Sequence, residues 1–166
     1  MLLNLFQQRI RMALTVAIAL GALSCQRTRS VPMTDFSLLL IDSTTIMSSR
    51  NIPNGEPVMI IYFSPDCDHC QQLTDSLLAN VRSFATTRIY FITIDPFDRL
   101  RVFNSHYHIF KYPNIVLGRD YEYSFVNELK PTGTPWVFIY NSHKDLKAIY
   151  PSITNVHNLI NTIKSI

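Results

Sequence analysis

The sequence lacks a basic block, an internal repeat and a low-complexity tract, and these absences reduce the number of protein classes to which it could belong. Its 166 residues include 15 Lys or Arg and 12 Asp or Glu, and Arg9 and Arg11 both lie near an apolar N-terminal run. Without those two arginines the remaining chain is almost neutral, which argues against a nucleic-acid-binding protein. The length and the 47% hydrophobic content are typical of one globular domain with a sizeable core.

Cysteine is scarce, and the three cysteines are unevenly placed. Cys67 and Cys70 are close enough in sequence to pair, whereas Cys25 is left over at the end of the N-terminal run. With no second cysteine pair, a zinc site would need two more ligands, for which His106 and His108 are the candidates. The Cys67–Cys70 spacing is therefore compatible with a redox pair, a structural disulfide or half of a metal site.

The N-terminal run is too short for a comfortable transmembrane helix and has the organisation of a signal peptide. Arg9 and Arg11 precede the apolar residues Met12 to Leu23, and small residues surround their end. The sequence Leu20-Gly21-Ala22-Leu23-Ser24-Cys25 resembles a bacterial lipoprotein signal, which implies that Cys25 is lipidated and becomes the mature N-terminus. The alternative is an ordinary cleaved signal with an incidental cysteine. Both signals would direct the domain out of the cytoplasm and into an oxidising compartment. Disulfides persist in such compartments.

The polar residues after Cys25 divide the chain into three parts. Residues 1–24 are the predicted lipoprotein signal peptide, residues 25–34 a flexible tether, and residues 35–166 a folded domain. The predicted location is the bacterial cell envelope, with the domain lipid-anchored to a membrane and facing the periplasm.

An apolar run that leads into the cysteine pair is the most informative feature of the domain. Residues 57–63 are apolar at both alternating positions, which predicts a central strand covered on both faces. A short turn then leads to Cys67, Cys70 and a helical pattern of apolar residues that extends through Phe84. Cys67 would lie at the positive end of the helix dipole, which favours the thiolate, the nucleophile in thiol–disulfide exchange.

The other predicted elements alternate between strands and helices. Strands are predicted at residues 36–41, 88–94, 114–117, 136–140 and 145–150, and helices at 98–108, 121–129 and 152–166, with 43–53 unassigned. This order predicts an α/β fold, with a central mixed sheet, helices on both faces and a short inserted strand and helix. The aromatic stretch 107–125 is expected to form the insert's own small core, with a partner surface as the alternative.

The arrangement resembles the thioredoxin fold, and in particular the TlpA-like thiol–disulfide oxidoreductases of bacterial envelopes. Residues 58–70 give a strand, a turn and C-x-x-C at a helix start, and residues 133–139 are similar to the family's cis-proline loop and following strand. The terminal hairpin and helix complete the resemblance, which extends from about Phe36 to the C-terminus.

The resemblance implies a function and a set of site residues. Cys67 is the expected attacking thiolate and Cys70 the resolving thiol. Pro135 is expected to be cis and packed against them, and Thr134 to pair through its backbone with an extended substrate segment. Protein thiols and disulfides are the expected substrates. No metal or organic cofactor is required, and a separate envelope redox partner resets the cysteine pair.

The residues around the cysteines depart from the thioredoxin pattern. Asp66 stands where thioredoxins carry a tryptophan, and Asp68-His69 where many carry Gly-Pro. The two carboxylates disfavour the Cys67 thiolate, whereas a protonated His69 favours it. A histidine between the cysteines resembles the oxidising DsbA pattern Cys-Pro-His-Cys, which implies a higher potential than that of thioredoxin.

The family's buried acid has no counterpart in the sequence. Ile61 and Leu73 occupy the places where such an acid occurs. Proton transfer to or from Cys70 is therefore expected to use water or another group.

Alternative functions would use the same two cysteines. A copper-handling or assembly protein would bind Cu(I) through Cys67, Cys70 and a histidine. A non-enzymatic binding module would keep a static disulfide, although a bridge across so few residues closes almost no loop and stabilises little. A thiol peroxidase is the third alternative.

Overall fold

The structure, a computed structural model, describes residues 30–166. The predicted signal peptide and Cys25 lie outside the described residues. Val31 and Met33, inside the predicted tether of residues 25–34, bond to the domain: the Met33 N–H donates to the Lys144 carbonyl and the Leu146 N–H to the Val31 carbonyl, both at 2.8 Å. From residue 30 onward, no helix combines the length and the apolar character needed to cross a membrane.

Seven strands and four α-helices make up the described part of the chain. The strands are β1 (Ser37–Leu40), β2 (Ile46–Ser48), β3 (Val58–Tyr62), β4 (Arg88–Thr93), β5 (Ile115–Arg119), β6 (Trp136–Tyr140) and β7 (Leu146–Tyr150). The helices are α1 (Asp68–Ala79), α2 (Phe97–Tyr107), α3 (Ser124–Leu129) and α4 (Val156–Lys164). Every predicted strand and helix has a counterpart, and β2 falls in the segment that the sequence left unassigned.

Helix α1 ends earlier than its apolar pattern predicts. The Asn80 side chain caps it by donating to the Ser76 carbonyl at 2.9 Å. A 3-10 turn, Val81–Phe84, continues the chain and keeps Phe84 fully buried. The apolar periodicity therefore continues past the α-helix because the tighter turn still directs Phe84 into the core.

The strands form one mixed sheet in the order β2-β1-β5-β4-β3-β6-β7. The three middle strands β5, β4 and β3 are parallel, and the remaining pairs are antiparallel. All five residues of β3 are buried, as its two-sided apolar pattern predicts.

Alternate residues of β3 contribute to two cores on opposite faces of the sheet. Met59 and Ile61 belong to the core that α1, α2 and α4 cover. Val58, Ile60 and Tyr62 belong to the core that α3 covers. The predicted α/β fold, with helices on both faces of a central mixed sheet, is therefore confirmed.

The aromatic stretch 107–125 does not form a separate core, and that prediction was wrong. Strand β5 lies inside the sheet, because it pairs with β4 on one side and β1 on the other. Phe125 is fully buried, and its ring centroid lies 5.5 Å from those of both Phe36 and Phe138. The inserted strand and helix thus complete the main sheet and its second core.

The sheet topology brings two loops together at one edge. Strand β6 runs antiparallel to β3, and its first residue, Trp136, is the register partner of the last residue of β3, Tyr62. The segment that leaves β3 therefore meets the segment that enters β6. These two segments carry the cysteine pair and Pro135.

Candidate active site

Cys67 lies at the junction between a turn and a helix. Its N–H donates to the Ser64 carbonyl at 3.2 Å, which closes the turn after β3. Its own carbonyl accepts from the N–H groups of Cys70 at 2.9 Å and Gln71 at 3.0 Å, so Cys67 occupies the N-cap position of α1. The following N–H groups point toward this end, as helix geometry requires, and favour negative charge on its sulfur.

The two cysteines differ sharply in exposure. Both are free thiols in this structure. Cys67 is half-buried, whereas Cys70 is only 1% exposed and packs in the core among residues that include Phe63 and Leu73. Only the first thiol is therefore open to a macromolecular reactant.

Hydrogen bonding separates the acidity of the two thiols further. Partial burial opposes ionisation of Cys67, but hydrogen bonds from the Thr134 side chain, the Cys70 thiol and backbone N–H groups of the helix outweigh it and lower the pKa of Cys67. Burial raises the pKa of Cys70 to about 12. One thiol is thus prepared to ionise while its neighbour stays protonated.

Thr134 and Pro135 lie directly beside Cys67. The Thr134–Pro135 peptide bond is cis. The Cys67 thiol donates toward the Thr134 carbonyl oxygen, with 3.6 Å between sulfur and oxygen. Pro135 is buried and is followed at once by β6. The predicted site residues Cys67, Cys70, Thr134 and Pro135 therefore meet at one place.

The charged neighbours of Cys67 divide into one paired residue and two exposed ones. The Asp66 carboxylate lies 2.9 Å from the Arg99 guanidinium, which also lies 3.7 Å from Asp95. Asp68 and His69 are exposed residues of the first turn of α1. Sequence reasoning missed Arg99, because its pairing depends on how α2 packs and no local pattern indicates it.

The two positions at which the family's buried acid would occur are occupied by apolar residues. Ile61 and Leu73 are 1% and 2% exposed and belong to the apolar core around Cys70. A different carboxylate, Asp120, is fully buried after β5. It accepts hydrogen bonds from the Ser124 hydroxyl and the Val126 N–H, both at 3.1 Å.

Asp120 is therefore an anchor for α3, and α3 leads into the loop that ends at Pro135. The sequence signal for Asp120 is weak: an aspartate follows a strand shortly before a helix start, which is where capping residues occur. That position does not by itself reveal the complete burial of its side chain.

A metal-ligand set does not converge around the cysteines in the part of the chain that the structure describes. Across residues 30–166, no three His, Cys, Asp or Glu side chains approach one another as metal ligands would. His106 lies on α2, and His108 follows that helix in a left-handed conformation.

Solved structures share this fold at low sequence identity. A secreted disulfide oxidoreductase of Mycobacterium tuberculosis, homologous to E. coli DsbE, is 12% identical with a TM-score of 0.66, and the match covers 79% of this chain and 96% of that one. A putative thiol:disulfide interchange protein DsbE of Chlorobium tepidum is 12% identical with a TM-score of 0.67, covering 82% and 96%. The peroxidoxin BcpB of Mycobacterium tuberculosis is 12% identical with a TM-score of 0.68, also covering 82% and 96%.

The sequence of the chain matches a protein-family model but no curated protein. The model of the thioredoxin-like domain family matches residues 49–164, which is more than half of the chain and includes Cys67, Cys70 and Pro135. The chain therefore belongs to the thioredoxin-like domain family.

Proposed function

We propose that this protein exchanges thiols and disulfides with other proteins in the bacterial envelope. One observation carries the proposal: a half-buried Cys67 with a lowered pKa lies at a helix start beside a buried Cys70 with a raised pKa. This asymmetry suits a pair in which one thiol attacks and the other resolves. The relatives with this fold that are named as disulfide oxidoreductases support the same chemistry.

The first step forms a mixed disulfide. The Cys67 thiolate attacks one sulfur of a substrate disulfide, so a Cys67–substrate S–S bond forms, the substrate S–S bond breaks, and one substrate thiolate leaves. The Thr134 backbone lies beside the reacting sulfur, where an extended substrate segment can pair with it in the manner of an added strand. The Asp66 carboxylate and the Arg99 guanidinium pair with each other, which limits the repulsion of the Cys67 thiolate by Asp66.

The second step releases the substrate. Cys70 attacks the Cys67 sulfur, the Cys67–Cys70 bond forms, and the second substrate thiolate leaves. Two electrons pass to the substrate, and the two cysteine protons end on its thiols. Because burial holds the pKa of Cys70 near 12, its proton leaves as it attacks, to water or to the departing substrate thiolate. The reverse sequence oxidises a substrate dithiol.

A separate redox partner in the envelope completes the cycle. After one turnover the cysteine pair has changed oxidation state and needs a second exchange to return. No metal or organic cofactor takes part in either step. The substrates are proteins with accessible thiols or disulfides.

The proposed location rests on the sequence before the described residues. Residues 1–24 act as a lipoprotein signal, Cys25 carries the lipid, and a short tether holds the domain on the periplasmic side of the envelope. Metabolic labelling with a radioactive fatty acid tests this, because the natural protein incorporates label and Cys25→Ser does not. Label in Cys25→Ser, or none in either protein, contradicts the anchor.

The function is tested by measuring the reduction potential and the exchange activity together. Equilibration with glutathione buffers is expected to give a potential above about −300 mV, the upper limit typical of structural disulfides. The reduced protein is expected to reduce insulin, and Cys67→Ser to lose that activity. A potential below this limit contradicts exchange. Cu(I) binding that depends on Cys67, without insulin reduction in the parent, would indicate a copper-handling protein instead.

A further inference from the structure

A pocket of about 220 Å³ opens directly beside the cysteine loop. One wall is the turn before Cys67, with Pro65 and Asp66, and the other is one side of α2. The pocket is smaller than the sites that hold cofactors and drug-sized ligands, which begin at about 300 Å³. Its volume suits a single side chain.

Helix α2 supplies a regular row of side chains to this pocket. Arg99, Val102, Phe103, His106 and Tyr107 recur at intervals of three and four residues and so lie on one side of the helix. Phe103 is turned toward the core, at 3% exposed, whereas Val102 is 71% exposed at the pocket. A β-branched apolar side chain thus remains in water at the pocket.

Three of the eight residues that line the pocket carry aromatic rings, and all three are on α2. The Tyr107 ring lies 4.6 Å from the Phe103 ring and 4.7 Å from the His106 ring, between centroids. The His106 and Tyr107 rings meet at 87°. An aromatic side chain that enters the pocket could contact these rings in an edge-to-face or offset arrangement, the geometries that aromatic pairs prefer. The Arg99 guanidinium could contact the face of the same incoming ring.

Hydrogen bonds hold both walls at fixed positions relative to the cysteine loop. The Gln71 side chain donates to the Pro65 carbonyl at 2.9 Å, and the Tyr107 hydroxyl donates to the Gln71 carbonyl at 3.4 Å. The Asp66–Arg99 ion pair joins the turn to α2 at the pocket rim. Because these two charges are paired with each other, the pocket favours an uncharged occupant.

The position of the pocket indicates what fills it. Asp66 lines the pocket and is the residue directly before Cys67. A polypeptide joined to the Cys67 sulfur therefore has its neighbouring residues close to the turn that lines the pocket and close to the Thr134 backbone. We propose that the pocket is a specificity subsite that receives an aromatic side chain within three residues of the substrate's reacting cysteine. This inference rests on the proposed exchange function and names the class of polypeptide that the site prefers.

The test measures how exchange depends on the substrate sequence. The probes are symmetrical disulfides of Ala/Gly peptides with a central cysteine, in which one Phe is moved through the three positions on each side. The reduced full chain is mixed with each probe, quenched with acid, and the released thiol quantified by mass spectrometry. At one or more positions Phe is expected to raise the second-order rate constant of this single exchange about tenfold over Ala, the discrimination typical of a small apolar pocket.

A substitution in the pocket and a matched control complete the design. In Val102→Asp the Phe/Ala ratio is expected to fall below about twofold, because a carboxylate then meets the ring. Ile46→Asp changes another exposed apolar residue, 57% exposed on β2 at the far end of the sheet, and is expected to keep the ratio of the parent.

The outcomes separate this inference from the function on which it rests. Exchange with every peptide at rates within about twofold, or a Phe preference that survives in Val102→Asp, overturns the pocket and leaves the exchange function intact. Failure to exchange with any peptide and with oxidised glutathione overturns both.

Discussion

The Cys67 sulfur lies 3.6 Å from the Thr134 carbonyl oxygen, although the two residues are distant in sequence. The contact exists because β6 pairs antiparallel with β3, which brings the start of one strand to the end of the other. The Thr134 side chain also helps to lower the pKa of Cys67. A single residue therefore contributes to thiol acidity through its side chain and provides a backbone edge for a substrate.

Thr134→Val tests the contribution of that side chain. The substitution keeps the shape but removes the hydroxyl, so we expect the pKa of Cys67 to rise and iodoacetamide alkylation at pH 7 to slow about three- to tenfold, in proportion to the lost thiolate. The control is Thr132→Val, an exposed threonine in the same loop. Equal rates in the two variants would show that the Thr134 hydroxyl does not stabilise the thiolate.

The two thiols are expected to react with alkylating agents at very different rates. At pH 7, Cys67 should be modified at least about tenfold faster than Cys70, because it is more exposed and its pKa is lowered while that of Cys70 is raised to about 12. The rate at Cys67 should reach half its plateau at a lower pH than the rate of an unperturbed cysteine in a short peptide, because the pKa of Cys67 is lowered. Peptide mapping of the alkylated protein distinguishes the sites. Preferential labelling of Cys70 would reverse the proposed roles.

The stability of the reduced protein is expected to fall at alkaline pH. The folded-state pKa of Cys70 is about 12, above its unfolded value, so the unfolded chain releases this proton first as the pH rises. From about pH 8.5 upward, Cys70 should reduce the free energy of unfolding by up to about 1.4 kcal/mol per pH unit. Urea titrations at several pH values measure the slope.

The disulfide form is the control for this alkaline effect. It has no Cys70 thiol to ionise, but it shares the contribution of Tyr140, whose pKa burial also raises to about 12. The free energy of unfolding should therefore fall more steeply with pH in the reduced form than in the disulfide form. Parallel slopes would mean that Cys70 ionises as easily in the folded as in the unfolded protein.

Asp120 is expected to be important for stability. Asp120→Ala leaves the Val126 N–H and the Ser124 hydroxyl without their buried acceptor, which should lower the free energy of unfolding by about 2–4 kcal/mol. The exposed neighbour Glu122 provides the control, and Glu122→Ala should change stability by less than about 0.5 kcal/mol. Chemical denaturation of both variants decides the matter, and similar midpoints would exclude the anchoring role of Asp120.

Features with local sequence patterns were the ones that could be predicted. The two-sided apolar run before Cys67, the helical spacing after it and the loop before Trp136 each indicate one element, and their order indicates the fold. Strand β2 escaped prediction because it has only three residues, and one of them, Ile46, is exposed at the sheet edge.

Features that depend on packing between distant elements could not be predicted. The ion pair between Asp66 and Arg99 forms only once α2 lies against the cysteine turn. The burial of Asp120 and the position of β5 inside the sheet depend on pairing with β1 and β4. Aromatic content alone also cannot show whether residues such as Phe125 fill the main core or a separate one.

The capture of a mixed disulfide tests the central claim most directly. Cys70→Ser removes the resolving thiol, so a disulfide-bonded peptide should accumulate as a covalent adduct on Cys67, detected by intact-mass analysis and released by dithiothreitol. The matched control, Cys67→Ser, retains the buried Cys70, and with Cys25 replaced by serine in both variants it should form no adduct under the same conditions. An adduct in Cys70→Ser alone is the predicted result. No adduct in either variant, or equal adducts in both, would contradict the assignment of Cys67 as the attacking thiol.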